Sequence, residues 1–301
     1  MSDNKSVTDD ICRLAKQMRS PDGKIYWSLS LADTKDIAQQ YGEKIRQVEI
    51  ISLNQNIIPE RYQRNIGTLG LTGQATLLSS TVAVIGLGGL GGLVAELLAR
   101  MGVGCLMLID GDTFSTNNLN RQLMVSEANL GEQKVAETAN RIVGVNEAVE
   151  VKVCAEYVDR SRLVDLLKGV QVAVDCLDNL QARFALEAAC QENSIPMVHG
   201  AIGGYMGQLT VIWPGKPMLN IIYGTEGYED GCSGEGAIGG GQGRGVEVEL
   251  GNPATTPAVV AAWEASEAVK VLTNPEEALR GRLMHIDLQS NDVNYIGLSQ
   301  E

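Results

Sequence analysis

The sequence predicts an α/β fold: a doubly wound, Rossmann-like, mostly parallel sheet that continues into antiparallel C-terminal strands, behind an N-terminal helical extension. Three observations carry this. Val82 to Asp112, "VAVIGLGGLGGLVAELLARMGVGCLMLIDGD", reads as an apolar strand, a glycine turn, a helix and a second strand that stops on an acid. "TVAVIG" (81–86), "CLMLID" (105–110) and "VQVAVDCLD" (170–178) are near-continuous apolar runs, as strands covered on both faces require. Helical patterns alternate with these runs, which is the mark of a parallel sheet wrapped by helices.

In chain order, residues 1–60 are the extension. Ile37, Ala38, Tyr41, Ile45 and Val48 stand at helical spacing and predict one helix over Thr34–Ile51. The second unit, residues 61–301, holds the sheet. A helix over 90–101 follows the glycine turn, another is expected over 132–143, and "VEVKVCAEYV" (149–158) reads as a strand. A helix from Leu180 to Asn193 follows the fourth strand, and "PMVHGAI" and "GQLTVIWP" continue the sheet. Residues 214–255 include "GYEDGCSGEGAIGGGQGRG", too glycine-rich to pack, and are expected to be a flexible crossover loop. "ATTPAVVAAWEASEAVKVL" (254–272) returns as a helix before strands at 282–288 and 293–298.

Bulk properties narrow the function. The 301 residues are 44% hydrophobic and 20% charged, which suits a water-soluble protein with ample core. A net charge of −13 argues against a DNA partner, because phosphate contacts need a basic face, and disfavours reading the extension as a DNA-binding helix pair. The sequence has no apolar run of ~20 residues to span a membrane. "MSDNKSVTDD" lacks the regions of a signal peptide, so a cytoplasmic location is expected. Six scattered cysteines form no C-x-x-C pair, so structural zinc is not expected.

The chemistry is concentrated after the glycine turn. Gly86, Gly88, Gly89 and Gly91 let the backbone approach a nucleotide at a helix start. Asp110 ends the second strand where an acid bonds ribose hydroxyls. Both features suit NAD as well as ATP. "DGDTFSTNNLNRQ" then adds Arg121, and "GEQKVAETANRI" adds Lys134 near a helix start. A triphosphate requires such a fork and point charge, whereas hydride transfer does not. Asp178 and Asn179, in "DCLDN", stand at the carboxyl edge of the sheet, and a carboxylate there suits Mg²⁺ bridged to phosphates.

"RYQRNIG", "GLGGLG", "LIDGD", "NNLNRQ", "GEQKV" and "DCLDN" occur in the order and spacing of the MoeB/ThiF family, and the chain resembles it from about Arg61 to Ile212 and again at "EASEAVKVL". These are adenylyltransferases related to ubiquitin-activating enzymes. The resemblance implies ATP-dependent adenylation, with pyrophosphate released, of the Gly-Gly carboxylate of a ubiquitin-like sulfur carrier of the ThiS or MoaD kind. A sulfur donor would serve the step that follows. It implies an adenosine site around Gly89 and Asp110, an ATP-lining segment of Asn117, Asn118, Leu119 and Asn120, triphosphate contacts from Arg121 and Lys134, and a metal-linked acid in Asp178 beside Asn179. Arg64 resembles an arginine that enters the partner subunit's site, which implies a homodimer.

Plainer readings stand beside these: Arg64 as a surface charge, Lys134 as a solvated helix residue, Asp178 as a helix cap, Asp112 as a turn residue. The chain also departs from the family. Two C-x-x-C pairs that bind zinc in many members are missing. Cys232 falls where the family's crossover loop often holds an acyl- or sulfur-accepting cysteine, but Glu229, Asp230 and Glu235 oppose a thiolate and Arg244 is the one cation near it in sequence. An inert loop thiol is the alternative. Other substrates for the same chemistry are a small carboxylic acid, a short peptide or a modified tRNA base. A non-catalytic or NAD-binding module is the remaining reading.

Overall fold

The computed structural model of the chain describes residues 6–224 and 250–298. Its N-terminal module contains α1 (Val7–Leu14), β1 (Lys16–Arg19), β2 (Ile25–Leu29), α2 (Leu31–Tyr41), α3 (Ile45–Asn54) and β3 (Ile57–Pro59). β1 pairs antiparallel with β2, and β3 lies parallel to β2. The extension is therefore a helix cluster with its own small sheet, not helices alone. The single helix expected over Thr34–Ile51 is two helices. Gly42, with φ 67°, ends α2 in the left-handed region, which a residue without a Cβ enters at little cost. The hairpin did have a local signal in "SPDGK", a Pro-Asp-Gly turn that the Ser20 N–H closes onto the Lys24 carbonyl at 2.9 Å. Ile11, Leu29, Ile37, Val48 and Ile57 form a core of this module's own.

α4 (Ile66–Ser79), kinked at Gly70, leads to the main sheet. There follow β4 (Thr81–Ile85), α5 (Gly91–Met101), β5 (Cys105–Ile109), α6 (Lys134–Val145), β6 (Glu150–Cys154), α7 (Arg160–Leu166), β7 (Val172–Asp175) and α8 (Leu180–Asn193). β8 (Met197–Gly203), β9 (Met206–Ile212), α9 (Leu219–Tyr223), α10 (Thr255–Thr273), β10 (Arg282–Asp287) and β11 (Asp292–Gly297) complete the unit. Strand order is β11-β10-β9-β8-β7-β4-β5-β6. The strands from β6 to β8 run parallel, and those from β8 to β11 pair antiparallel. The fold is thus the predicted mostly parallel doubly wound sheet with an antiparallel continuation.

The alternation of a pleated strand assigns the two faces. Val82 and Val84 of β4 pack with Val94, Leu98 and Val260 on one side. Ala83 and Ile85 pack with Leu163 and Leu186 on the other. Each fully buried aliphatic side chain contributes about 1.5–3 kcal/mol, so both faces are strongly driven. The chain winds from β4 out to β6 and then crosses back to β7. β4 and β7 are therefore the switch point, and Ile85 and Asp175 lie in register there. Loops beyond the carboxyl ends of such strands diverge and leave a crevice.

Two expected elements are shorter. β6 stops at Cys154 instead of running to Val158, and β7 spans Val172–Asp175 instead of 170–178. Within the expected crossover loop, α9 is ordered. Leu219 is fully buried, and Glu187 Oε1 accepts the N–H groups of Met218 and Leu219 at 2.7 and 3.0 Å. Among the described residues, no helix is long and apolar enough to cross a membrane.

Candidate active site

A cleft of about 410 Å³ opens beyond the carboxyl ends of β5 and β7. Its walls bring together Asn117, Asn118, Arg121, Lys134 and Asp178, five of the residues singled out in the sequence. They come from three separate segments. The loop after β5 is closed on itself, with the Phe114 N–H donating to the Glu132 carbonyl and the Gly131 N–H donating back to Phe114, at 2.9 and 2.8 Å. That closure returns the chain so that Lys134 begins α6 inside the cleft. Arg121 Nη1 donates to the Asn117 carbonyl and to Asn120 Oδ1, at 2.9 and 2.8 Å. Both acceptors are neutral, so they orient the guanidinium without cancelling its charge.

The Lys134 side chain is only 7% exposed, and Nζ donates to Asp112 Oδ2 at 2.9 Å. It is not a solvated helix residue. Asp112 also accepts the Tyr157 hydroxyl hydrogen. Burial works against the Asp112 carboxylate, but these two bonds outweigh it and hold its pKa below the ordinary range. The same bond pushes the Tyr157 phenol up to about 12.

Asp178 is exposed, and its described hydrogen bond is to the neighbouring Asn179 Nδ2 at 3.4 Å. The cap of α8 is Asn179, whose Oδ1 accepts the Ala182 N–H at 2.9 Å. The helix-cap reading of Asp178 fails for that reason. The expectation for Asn179 as a nucleotide contact changes too: its oxygen is engaged and it is not part of the cleft wall.

The glycines and Asp110 lie beside the cleft and do not line it. Gly86 has φ 86°, and a Cβ on it would lie 2.6 Å from the Cys176 carbonyl oxygen. A Cβ on Gly91 would lie 1.8 Å from the Gly86 oxygen. These two positions require glycine to bring β4, β7 and α5 together at the switch point. Asp110 accepts the N–H groups of Leu87 and Asp112, at 2.6 and 2.7 Å, and so fastens the glycine turn to the loop after β5. Burial raises its pKa, against the pull of Lys134 and the two N–H groups. Leu119 is exposed, and Asn120 Nδ2 donates to the Asn252 carbonyl at 3.0 Å. Neither lines the cleft.

Arg64 is exposed and stands outside this cleft. Its neighbours are all engaged: Arg61 donates to Asn146, Tyr62 is fully buried and donates to Glu49, Gln63 donates to Ser28 at 2.9 Å, and Asn65 donates to Gln74 at 2.9 Å. Cys232 lies outside the described residues.

Asp112, Gln122 and Tyr157 also line the cleft; the sequence marks Asp112 as a turn residue and assigns no role to Gln122 or Tyr157. Gln122 is buried and its Oε1 has no hydrogen-bond partner among the described residues. Asp112 and Gln122 lie within "DGDTFSTNNLNRQ", so the motif itself marked their neighbourhood. Tyr157 had no local signal, since it reaches the cleft only because the chain leaves β6 early and passes tightly over Gly111. Among the described residues, no group of three or more His, Cys, Asp or Glu side chains is placed to hold a metal ion.

Residues 62–301 match the model of the ThiF family. The SAMP-activating enzyme E1 of Haloferax volcanii is 35% identical over 234 residues, which span 76% of this chain and 81% of that protein. The molybdopterin-synthase adenylyltransferase of Escherichia coli is 32% identical over 231 residues, 75% of this chain and 87% of that protein. Among solved structures, Escherichia coli MccB with AMPCPP and MccA shares the fold at a TM-score of 0.65 and 19% identity, covering 89% of this chain and 79% of that one. The family match takes in the whole cleft and the sheet that carries it, and the chain belongs to the ThiF family as an adenylyltransferase of the MoeB/ThiF kind.

Proposed function

We propose that the cleft binds ATP and adenylates the C-terminal carboxylate of a ubiquitin-like sulfur carrier, releasing pyrophosphate. The observation that carries this is the convergence of Arg121 and Lys134 with Asp178 at the switch point of a doubly wound sheet. The carboxylate oxygen attacks the α-phosphorus, an acyl–O–P bond forms, and the bond to the pyrophosphate oxygen breaks with its electron pair leaving on pyrophosphate. Little covalent work falls to the protein. Arg121 and Lys134 meet the charge that grows on the phosphate oxygens, and the closed loop after β5 keeps them in place beforehand. Lys134 exchanges part of its bond to Asp112 for phosphate, and Tyr157 keeps Asp112 from following. The orphan Gln122 oxygen is an acceptor that a nucleotide hydroxyl or amino group would satisfy.

The donor set fits Mg²⁺, which takes one or two carboxylates plus substrate phosphates and needs no protein cage. Asp178 would hold it, and the bound ion would neutralise phosphate charge. Arg64 is assigned to the cleft of a second subunit in a homodimer, since it is exposed and lies outside its own. The names of the two relatives support a carrier substrate.

A second reading keeps the chemistry and changes the acid to a small carboxylic acid, a short peptide or a modified tRNA base. The likeness to MccB supports it. That likeness covers 89% of this chain, more than residues 62–301 alone supply, and so reaches into the N-terminal module.

ATP–pyrophosphate exchange across a panel of carriers and small acids tests both. Exchange only with a carrier ending in Gly-Gly supports the first reading, and exchange only with another acid replaces it. Stabilisation by NAD in place of Mg-ATP, with no exchange, overturns adenylation.

A further inference from the structure

Asp178 is an exposed side chain on a turn, yet both of its neighbours are fastened. Leu177, just before it, has both backbone polar groups taken by side chains. Its N–H donates to Asp175 Oδ1 at 3.1 Å. Its carbonyl accepts from Arg183 Nε at 3.2 Å and from Nη2 at 2.6 Å. Asn179, just after it, is the cap of α8.

The two residues that hold Leu177 are themselves held. Asp175 is fully buried, and its Oδ2 lies 2.7 Å from His199 Nδ1. Arg183 Nη1 donates to the Tyr223 hydroxyl at 2.9 Å. Gln208 Nε2 donates to the same hydroxyl at 2.5 Å, and His199 Nε2 lies 3.0 Å from it. Burial lowers the His199 pKa and keeps the ring neutral. Nδ1–H then donates to Asp175, and Nε2 accepts the Tyr223 hydrogen. The hydroxyl uses its one hydrogen and both lone pairs. The network spans β7, α8, β8, β9 and α9. Asp175, Arg183, His199, Gln208 and Tyr223 all lie outside the cleft wall.

A buried set of charges is a poor way to gain stability, since desolvation offsets the attraction. It is a good way to fix geometry, because each atom has one satisfied arrangement. We propose that Asp175, Arg183 and Tyr223 are positioning residues that act through the Leu177 backbone to aim the Asp178 carboxylate at the Mg²⁺-linked phosphates of the nucleotide. This rests on the Mg-ATP reading of the cleft.

The test is ATP affinity of the full chain, measured by calorimetry with Mg²⁺ and again with EDTA. The ratio of the two dissociation constants reports the tightening that Mg²⁺ supplies. Asp178→Asn should remove that tightening. Tyr223→Phe and Arg183→Lys should each cut it by about tenfold, the lower end of what outer-shell partners of metal ligands cost, with the EDTA value within about twofold of wild type. Adding Tyr223→Phe to Asp178→Asn should cause no further loss. A merely structural role would move both constants together and add to Asp178→Asn. If Arg183→Lys fails to fold, Tyr223→Phe decides alone, since it deletes one oxygen and keeps the ring. Full tightening in folded Tyr223→Phe overturns the proposal. A wild-type chain without any Mg²⁺-dependent tightening overturns the Mg-ATP reading itself, and this inference with it.

Discussion

Asp178 and Arg64 are presented in the same way by two different kinds of support. Each is an exposed side chain on a turn whose neighbours are held from below. Under Asp178 the grip is on the backbone itself, through a charged, buried network between β7 and α8. Under Arg64 the grip is on neighbouring side chains, through amides, a tyrosine and the Arg61–Glu49 ion pair, which tie the N-terminal module to Asn146. The difference teaches where each residue's position comes from. Asp178 is placed by the fold of the sheet. Arg64 is placed by how the N-terminal module sits on the connections around Asn146 and Gly104, where Arg46 and Lys44 also pair with Glu150.

Breaking the first support should cost the most. Asp175→Ala leaves Arg183 and His199 buried without their acid, and losing one partner of a buried pair costs about 3–5 kcal/mol. Urea unfolding should show this at every pH from 6 to 8. An unchanged midpoint would mean that water replaces the carboxylate.

The catalytic consequence should be nearly as large. Removing a preorganised charge-stabilising group costs about 2.7–4 kcal/mol, or 10²–10³ in rate, so Arg121→Ala should lose most pyrophosphate exchange and Arg121→Lys should recover little without the planar fork. Arg64→Ala and Asp178→Ala should each lose activity too. Mixing those two proteins should restore part of it, since a heterodimer retains one cleft with both groups. Absence of rescue in verified heterodimers would place Arg64 in its own subunit's service.

The second support carries a pH signature of its own, set by a carboxyl. Glu49 sits almost fully buried beside Arg61 and Tyr62, and burial outweighs the Arg61 charge to push its pKa up to about 7 from 4.5. The folded state therefore binds this proton more tightly than the unfolded chain. Its contribution is complete below pH 4.5 and is lost as pH rises through 7, by about 3 kcal/mol at 1.36 kcal/mol per unit. Glu49→Gln should flatten stability across that window. A wild-type slope in the variant would assign the effect to another acid.

The smallest effect sharpens the comparison. Gln63→Ala removes one partly buried amide bond to Ser28 and should cost about 1 kcal/mol in urea titration. If Arg64 depends on the N-terminal module for its position, this variant should still lose exchange activity measurably. A change in stability with no change in exchange would mean that Arg64 finds its place without the module.

The sequence by itself determined the parallel core and the loop motif that lines one side of the cleft. Continuous apolar runs at β4, β5 and β7 can be satisfied only by burial on both faces, and the motif after β5 carries its own loop chemistry. These are local properties, readable from neighbours in the chain. Tertiary structure alone decided the rest. It made two helices from Thr34–Ile51, read as one, and added a three-stranded sheet to an extension read as helical, because parallel β3 finds β2 only across the intervening helices. It gave the cap of α8 to Asn179 and left Asp178 exposed on the cleft wall, a choice of one residue that depends on where β7 ends. It brought Tyr157 to Asp112 and His199 to Asp175, pairs 45 and 24 positions apart. No periodicity reports such pairs, because they depend on strand register and on hydrogen bonds that exist only once the sheet has closed.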